Sequence, residues 1–150
     1  MKRKVALVLS LLLIAGCSRT PALKSPDLVV RLAGGFPAFR SGMEVPLNFD
    51  IYIRNNSSEP ISLEQIRLES YSSMSFAINM RTTYFKQTIA PGESTKVPVF
   101  ATARILSSRT ARSEPMTVRV TANFNSPVGR FQRVYIRDTG SSVEGPRSRE

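Results

Sequence analysis

The chain of 150 residues contains no histidine and no tryptophan, and its only cysteine is Cys17. Histidine is the commonest general base and the commonest metal ligand, so its absence removes the usual chemistry of hydrolases and of many metal centres. One cysteine alone cannot form an intramolecular disulfide or a cysteine cage for a metal ion. From these absences we expect no enzymatic activity, no catalytic residue, no metal site and no dissociable cofactor.

Acidic residues are also few, with 11 aspartates and glutamates against 21 lysines and arginines. They are scattered, and nothing in their spacing indicates the paired carboxylates of a glycoside hydrolase. Asp50 and Glu69 each lie two residues before a tyrosine in runs that predict strands, a pattern of polar decoration on a wet sheet face. No serine lies in a Gly-x-Ser-x-Gly turn. A hydrolase of wall glycans therefore ranks last among the functional alternatives.

The N-terminal segment has the organisation of an export signal. Three cations at positions 2–4 precede eleven residues, Val5–Ala15, of which only Ser10 is polar. A charged start followed by a short apolar run is typical of a signal peptide. A membrane-spanning helix needs roughly 20 apolar residues, so this run is too short to be an anchor by itself. The sequence predicts a signal peptide over residues 1–16.

The tetrapeptide Ile14-Ala15-Gly16-Cys17 resembles the lipobox of bacterial lipoproteins, in which an aliphatic residue and two small residues precede a cysteine. The resemblance implies that the chain is cut before Cys17, that its thiol carries a diacylglycerol and that its new amino group is acylated. These covalent lipids are the only attached groups that we expect. Ser18, in place of an aspartate, favours lipid anchoring in the outer membrane with the domain facing the periplasm. The inner membrane and the cell surface stay open as alternatives.

Composition divides the remainder of the chain into three parts. Residues 17–26 are mostly polar, contain two prolines and predict a lipidated cysteine followed by a tether. Residues 27–137 contain the patterned apolar runs of one folded domain. Residues 138–150 contain almost no apolar side chain and predict a disordered tail.

Apolar periodicity within the domain predicts strands. Strict alternation between Val45 and Asn55 indicates a strand with one buried face. The apolar spacing slips between Leu63 and Ile66, which predicts a β-bulge or two short strands.

Two further runs complete the pattern. A second alternation begins at Met74 and extends to Tyr84, which predicts one continuing strand. The last strand is expected over Arg130–Arg137, with Val134 and Ile136 facing inward.

Turn signals at residues 55–60, 90–93 and 125–129 separate these runs. We predict an all-β fold, a two-sheet sandwich of the immunoglobulin-like or fibronectin type III-like kind with about seven strands. The segments 54–56, 60–63 and 89–99 also resemble small immunoglobulin-like domains of the late-embryogenesis-abundant type 2 group. That resemblance implies an alternative function as a stress-protective or solvating envelope protein.

The charge balance indicates an anionic partner. Removal of the three cations of the signal leaves 18 cations against 11 acids, a net charge of about +7. Arginine forks suit phosphate and carboxylate groups. The longest irregular run, residues 104–115, supplies the candidate contacts for an anion or a partner, although solvated loop charges are the alternative. These candidates are Arg104, Arg109 and Arg112.

The leading hypothesis is a lipid-anchored, non-catalytic binding or structural module of the cell envelope. Its edge strands or end loops would contact another envelope protein or an anionic envelope polymer. Nucleic acid is not an expected partner, because no basic stripe with interleaved aromatic residues occurs. Convergence of the arginine-bearing segment with Phe36 and Phe39, which lie in an earlier loop, would favour a binding site over the structural alternative.

Overall fold

The structure, a computed structural model, describes residues 23–34, 40–71, 75–107 and 116–139. In these ranges no helix is long and apolar enough to cross a membrane. Several sequence predictions concern residues outside these ranges: the signal peptide, Cys17, Phe36, Phe39, Arg109, Arg112 and the residues after Thr139. The strands, in chain order, are β1 (Asp27–Ala33), β2 (Glu44–Arg54), β3 (Ile61–Ser70), β4 (Phe76–Ile78), β5 (Arg81–Ile89), β6 (Ser94–Ile105), β7 (Thr117–Ser126) and β8 (Gly129–Asp138).

The strands form two four-stranded sheets. Sheet A has the order β1-β2-β6-β4 and sheet B the order β5-β3-β7-β8, and all neighbouring strands are antiparallel. Buried side chains from both sheets form one hydrophobic core. The prediction of an all-β, two-sheet sandwich is confirmed, with eight strands in place of about seven.

The additional strand arises between Met74 and Tyr84, where the sequence predicts one continuing strand. β4 pairs with β6 in sheet A, whereas β5 pairs with β3 in sheet B, so the chain crosses between the sheets at Asn79 and Met80. The prediction of one strand was wrong, because alternation shows which face is buried and not which neighbour a strand pairs with. Met80 is consequently 59% exposed instead of joining the core.

The alternation predicted for β2 is present. Its side chains alternate between the core and the outer face over the whole strand. Sheet formation follows from this pattern, because each inward side chain removes apolar surface from water while each outward one stays solvated. The inward set of β2 is at most 4% exposed and consists of Val45, Leu47, Phe49, Ile51 and Ile53.

The slip in the apolar spacing of β3 is a β-bulge within one strand, the first of the two predicted alternatives. The register of β3 shifts between Leu63 and Gln65 against both β5 and β7. Because of this shift, Leu63 and Ile66, which are three positions apart, both face the core with 0% exposure. Without an irregularity a period of two would place one of them in solvent.

The prediction that Val134 and Ile136 face inward was wrong. They are 56% and 44% exposed, whereas Tyr135 between them is 9% exposed. The hairpin between β7 and β8 decides this phase, since it places Phe131 opposite the fully buried Phe124. Every second residue from Phe131 then faces inward, and the tyrosine ring buries more apolar area than a valine would.

The folded part extends beyond the predicted range of 27–137 at both ends. Leu23 packs against the core and Pro26 is buried, so the end of the predicted tether belongs to the domain. At the other end β8 includes Asp138, and the buried Thr139 donates to the carbonyl oxygen of Met116 from its backbone nitrogen at 2.8 Å and from Oγ1 at 3.0 Å.

Candidate functional site at the loop end

The sandwich has two distinct ends. At the tether end, the chain enters β1 beside the turns that follow β2, β5 and β7. At the opposite end, which we call the loop end, the connections β1–β2, β3–β4 and β6–β7 leave the sheets. The described end of the tether, residues 23–26, and the described stems of these three connections therefore lie at opposite ends of the sandwich.

Asn55 organises the tether end. Its side chain has 0% exposure, and Nδ2 donates to the carbonyl oxygens of Glu59 at 2.8 Å and Ile89 at 3.0 Å. Its Oδ1 accepts from the backbone nitrogen of Ser57 at 2.9 Å and from the Ser57 hydroxyl at 2.6 Å. The predicted turn at residues 90–93 is confirmed, with Gly92 at φ +75° and a bond from the Gly92 nitrogen to the Asn55 oxygen. In the described residues, no buried side-chain nitrogen or oxygen atom at this end lacks a hydrogen-bond partner.

The N-terminal segment is fastened to β8. The Tyr135 hydroxyl donates to the carbonyl oxygen of Pro26 at 2.6 Å, and Arg133 Nε donates to the Ser25 hydroxyl at 3.2 Å. Burial raises the pKa of the Tyr135 hydroxyl above its ordinary value. The interaction of this hydroxyl with the Ser25 side chain and the charges of Arg133 and Arg137 act in the opposite direction. The tether therefore leaves the domain at a fixed point.

At the loop end, backbone hydrogen bonds join the stems of the connections. The Gly42 nitrogen donates to the oxygen of Ile105 at 2.7 Å, and the Ile105 nitrogen donates to the oxygen of Met43 at 2.9 Å. The Leu106 nitrogen donates to the oxygen of Ser75 at 2.9 Å. We call residues 40–44 together with 104–106 the distal rim. Residues 35–39 precede this rim in the chain and residues 108–115 follow it, and both segments lie outside the described residues.

Arg104 lies at this rim, but not in a loop. β6 extends to Ile105, so the prediction that the irregular segment begins at Arg104 was wrong. The arginine side chain is exposed on the outer face of sheet A, with Glu44 and Ala77 as its cross-strand neighbours. Arg104 belongs to the strand because β2 and β4 both supply a pairing partner for it here. Of the three predicted arginines, only Arg104 lies in the described residues.

A groove of about 360 Å³ lies next to the rim on the outer face of sheet A. Its most exposed apolar side chains are Phe100 at 60% and Met80 at 59%. The outward direction of Phe100 follows from the alternation of β6, and its place beside Met80 depends on the chain crossing that the sequence pattern does not reveal. The groove is lined by Pro46, Leu47, Asn48, Asn79, Met80, Arg81, Phe100, Ala101 and Thr102.

The free edge of β6 beside this groove cannot accept a long added strand. β4 covers only residues 103–105, so residues 94–101 have no neighbour on that side among the described strands. Pro98 lies in the middle of this edge and has no backbone N–H to donate. The groove is therefore suited to recognition by side chains.

Asp50 and Glu69, the two acidic residues that the sequence pattern placed on wet sheet faces, form ion pairs. Lys96 Nζ lies 3.3 Å from Asp50, and Glu69 pairs with both Arg67 at 3.2 Å and Arg119 at 3.3 Å. These contacts fit the cross-strand decoration predicted for Asp50 and Glu69. In the part of the chain that the structure describes, no group of three acidic side chains is placed to hold a metal ion.

Comparisons with known proteins give no family. No protein-family model matches the chain, and no curated protein matches it. Among solved structures, the chain is similar to a structural genomics target designated SoR45, with 10% identity, a TM-score of 0.46 and coverage of 84% of this chain and 94% of that one. It is also similar to the putative ApaA protein from Bordetella pertussis, with 13% identity, a TM-score of 0.42 and coverage of 79% and 94%. Similarities at this level carry no argument about function.

Proposed function

We propose that this protein is a lipid-anchored, non-catalytic binding module of the cell envelope, held at the outer membrane through Cys17 and facing the periplasm. Its partner is another envelope protein, which docks on the distal rim and the adjoining groove. The observation that carries the proposal is the opposition of the two ends, with the tether fastened at one and the connections joined into a rim at the other.

The geometry allows the rim to extend away from a membrane. Six residue steps separate Cys17 from Leu23, and a fully extended chain covers about 20 Å in that number of steps. β2 has 11 residues, which span about 36 Å at the usual rise of a strand. The anchor therefore restricts the tether end, while the rim at the far end of the sheets stays accessible.

Side-chain chemistry at the rim supports a protein partner. Met43 and Leu106 are each 48% exposed, and the exposed Phe100 and Met80 lie in the adjoining groove. Phenylalanine and methionine are enriched in protein–protein interfaces, and neighbouring exposed apolar side chains mark contact sites. Arg104 places a cation at the margin of this apolar surface, where it would contribute to orientation more than to affinity.

Photo-crosslinking in intact cells tests the docking surface. A crosslinking amino acid replaces Phe100 in one strain and Tyr84 in a control strain, since Tyr84 is 77% exposed but lies on sheet B. We expect a discrete adduct with an envelope protein from position 100 and none from position 84. Identical adducts from both positions, or no adduct from position 100, would contradict the proposed surface.

Metabolic labelling tests the anchor separately. Labelled palmitate is expected to enter the natural chain and not the Cys17→Ser variant, which should also stay uncleaved. An unlabelled natural chain would remove the anchor from the proposal. Three results together would favour the protective alternative. These are palmitate labelling of the natural chain, no crosslink from position 100, and sensitivity of a deletion strain to drying or osmotic shock.

A further inference from the structure

The inward face of β8 repeats one small motif twice. Phe131 is followed two residues later by Arg133, whose guanidinium lies 5.3 Å from the centre of the phenylalanine ring. Tyr135 is followed in the same way by Arg137, at 5.4 Å. Because β8 is the edge of sheet B and β1 is the edge of sheet A, these side chains lie along the open side of the sandwich between the two strands.

Both guanidinium groups are held in place. Arg133 Nε donates to the Ser25 hydroxyl at 3.2 Å, and its terminal nitrogen donates to the oxygen of Gln132 at 3.1 Å. Arg137 Nε donates to the oxygen of Leu28 at 2.8 Å, and its terminal nitrogen donates to the oxygen of Ile136 at 3.0 Å. The second terminal nitrogen of each arginine has no partner among the described residues. Each group therefore keeps N–H donors for a ligand, with much of its side-chain freedom already lost.

These two positive charges are not neutralised within the described ranges. Arg130 on the same strand lies 3.4 Å from Glu64, whereas no described carboxylate lies within ion-pair distance of Arg133 or Arg137. Asp27 on β1 and Asp138 on β8 are the acids of these two strands, and Asp138 accepts a hydrogen bond from the Thr117 hydroxyl. The two arginines are four positions apart, so their backbones lie about 13 Å apart along the strand.

Exposed aliphatic side chains flank the arginines. Val134 and Ile136 alternate with them on β8, so they face the outer side of sheet B, and they are 56% and 44% exposed. Val29 on β1 is 49% exposed and faces the outer side of sheet A, so aliphatic side chains border the arginines on both sheets. The tether leaves the domain at the same side, because Ser25 and Pro26 are bonded to β8, and Lys24 is exposed there. The unpaired cations between β1 and β8, the aliphatic side chains that border them on the two outer faces and the described end of the tether thus meet at one edge of the sandwich, which we call the β1–β8 side.

We propose that the β1–β8 side is a membrane-contact surface, on which Arg133, Arg137 and Lys24 bind the phosphate groups of anionic lipids while Val134 and Ile136 enter the headgroup boundary. Arginine forks match phosphate geometry, and an apolar side chain gains from leaving water at that boundary. The adjoining aliphatic side chains favour a lipid surface over a soluble anion, which would leave them in water. This surface goes beyond the proposed function and does not require the lipid on Cys17.

The absence of tryptophan from the chain permits a direct test. Val134→Trp introduces a single tryptophan at the proposed surface, and Tyr84→Trp introduces one at the opposite edge of sheet B. The lipidated full-length mature protein is reconstituted in vesicles of phosphatidylglycerol or of phosphatidylcholine. We expect a blue shift of tryptophan emission for Val134→Trp in phosphatidylglycerol only, and none for Tyr84→Trp in either. Ile136→Trp repeats the measurement if the first variant folds poorly.

Charge variants made in the Val134→Trp background separate specific contacts from net charge. Arg133→Gln with Arg137→Gln should abolish the shift and weaken association of the unlipidated chain with phosphatidylglycerol vesicles by about tenfold or more. Arg67→Gln with Lys86→Gln removes the same charge from β3 and β5, away from the β1–β8 side, and should leave the shift unchanged. Equal effects of the two pairs, or equal emission in both lipids, would overturn the proposal.

The source of the phosphate is also distinguishable. Soluble polyphosphate without vesicles should not shift the emission, and a shift with polyphosphate alone would overturn the assignment to a lipid surface. In phosphatidylcholine vesicles only the lipid on Cys17 is expected to hold the protein. Failure of the protein to float with these vesicles would therefore contradict the anchor and not the β1–β8 side.

Discussion

Tyr135 on β8 donates a hydrogen bond of 2.6 Å from its hydroxyl to the carbonyl oxygen of Pro26, 109 residues earlier in the chain. This bond closes the open side of the sandwich between β1 and β8, where no strand pairing joins the two sheets. It also fixes the point at which the tether leaves the domain. Tyr135, which the predicted phase of the last strand placed on the outer face, thus joins the N-terminal and C-terminal segments of the folded domain.

Tyr135→Phe is expected to lower the free energy of unfolding by about 1 kcal/mol at pH 7, the usual net contribution of one hydrogen bond. Burial raises the pKa of the hydroxyl above 10.0, so the folded state holds this proton more tightly than the unfolded state. The stabilisation is therefore complete below pH 10 and is lost as the pH rises through the folded-state pKa. Urea unfolding at pH 7 and at several values above pH 10 measures it.

In that series the gap between the natural chain and Tyr135→Phe should narrow with rising pH. Tyr84→Phe is the control, because its ring is 77% exposed and its hydroxyl has no hydrogen bond among the described residues. A gap that stays constant to the highest pH would show that the hydroxyl proton does not contribute as described.

Asn55→Ala is expected to destabilise the domain by about 2 to 4 kcal/mol, because it leaves buried carbonyl and hydroxyl groups without their partners. Asn55→Asp should cost at least as much, since it replaces the Nδ2 donor with an oxygen facing the carbonyls of Glu59 and Ile89. Asn56→Ala is the matched control, with one weak bond of 3.4 Å to Ser25 and an expected change under about 0.5 kcal/mol. Chemical denaturation compares them, and equal losses at the two positions would refute the role assigned to Asn55.

Phe124→Ala and Phe100→Ala remove the same side chain from the core and from the surface. Phe124 has 0% exposure and stacks on Phe131 with ring centres 5.2 Å apart, so its loss should cost about 3 to 5 kcal/mol. Phe100 is 60% exposed, and its loss should change stability by less than about 1 kcal/mol. Thermal unfolding measures both. A large loss of stability at Phe100 would assign that ring a structural role and weaken its use as a docking residue.

The sequence alone identified the inward face of β2 and located an irregularity in β3, which it left open as a bulge or two short strands. Local period-two patterns suffice for this, because each inward position of β2 must bury an apolar side chain whatever its neighbour is. The turn at residues 90–93 was equally predictable, since Pro91 and Gly92 have backbone preferences that need no tertiary contact. The membrane localisation implied by Cys17 also depends only on a short local motif, and it stays a prediction.

Tertiary pairing decided what local patterns could not. The division between β4 and β5 depends on which strand each one pairs with. Arg104 is part of β6 because Glu44 of β2 and Ala77 of β4 both pair with it. The phase of β8 depends on the hairpin with β7, since valine, isoleucine and tyrosine are all acceptable in a strand. The sequence could therefore predict a basic all-β domain with a lipidation motif. The distal rim, the groove and the placement of the β8 arginines beside β1 depend on the packing of segments that are distant in the chain.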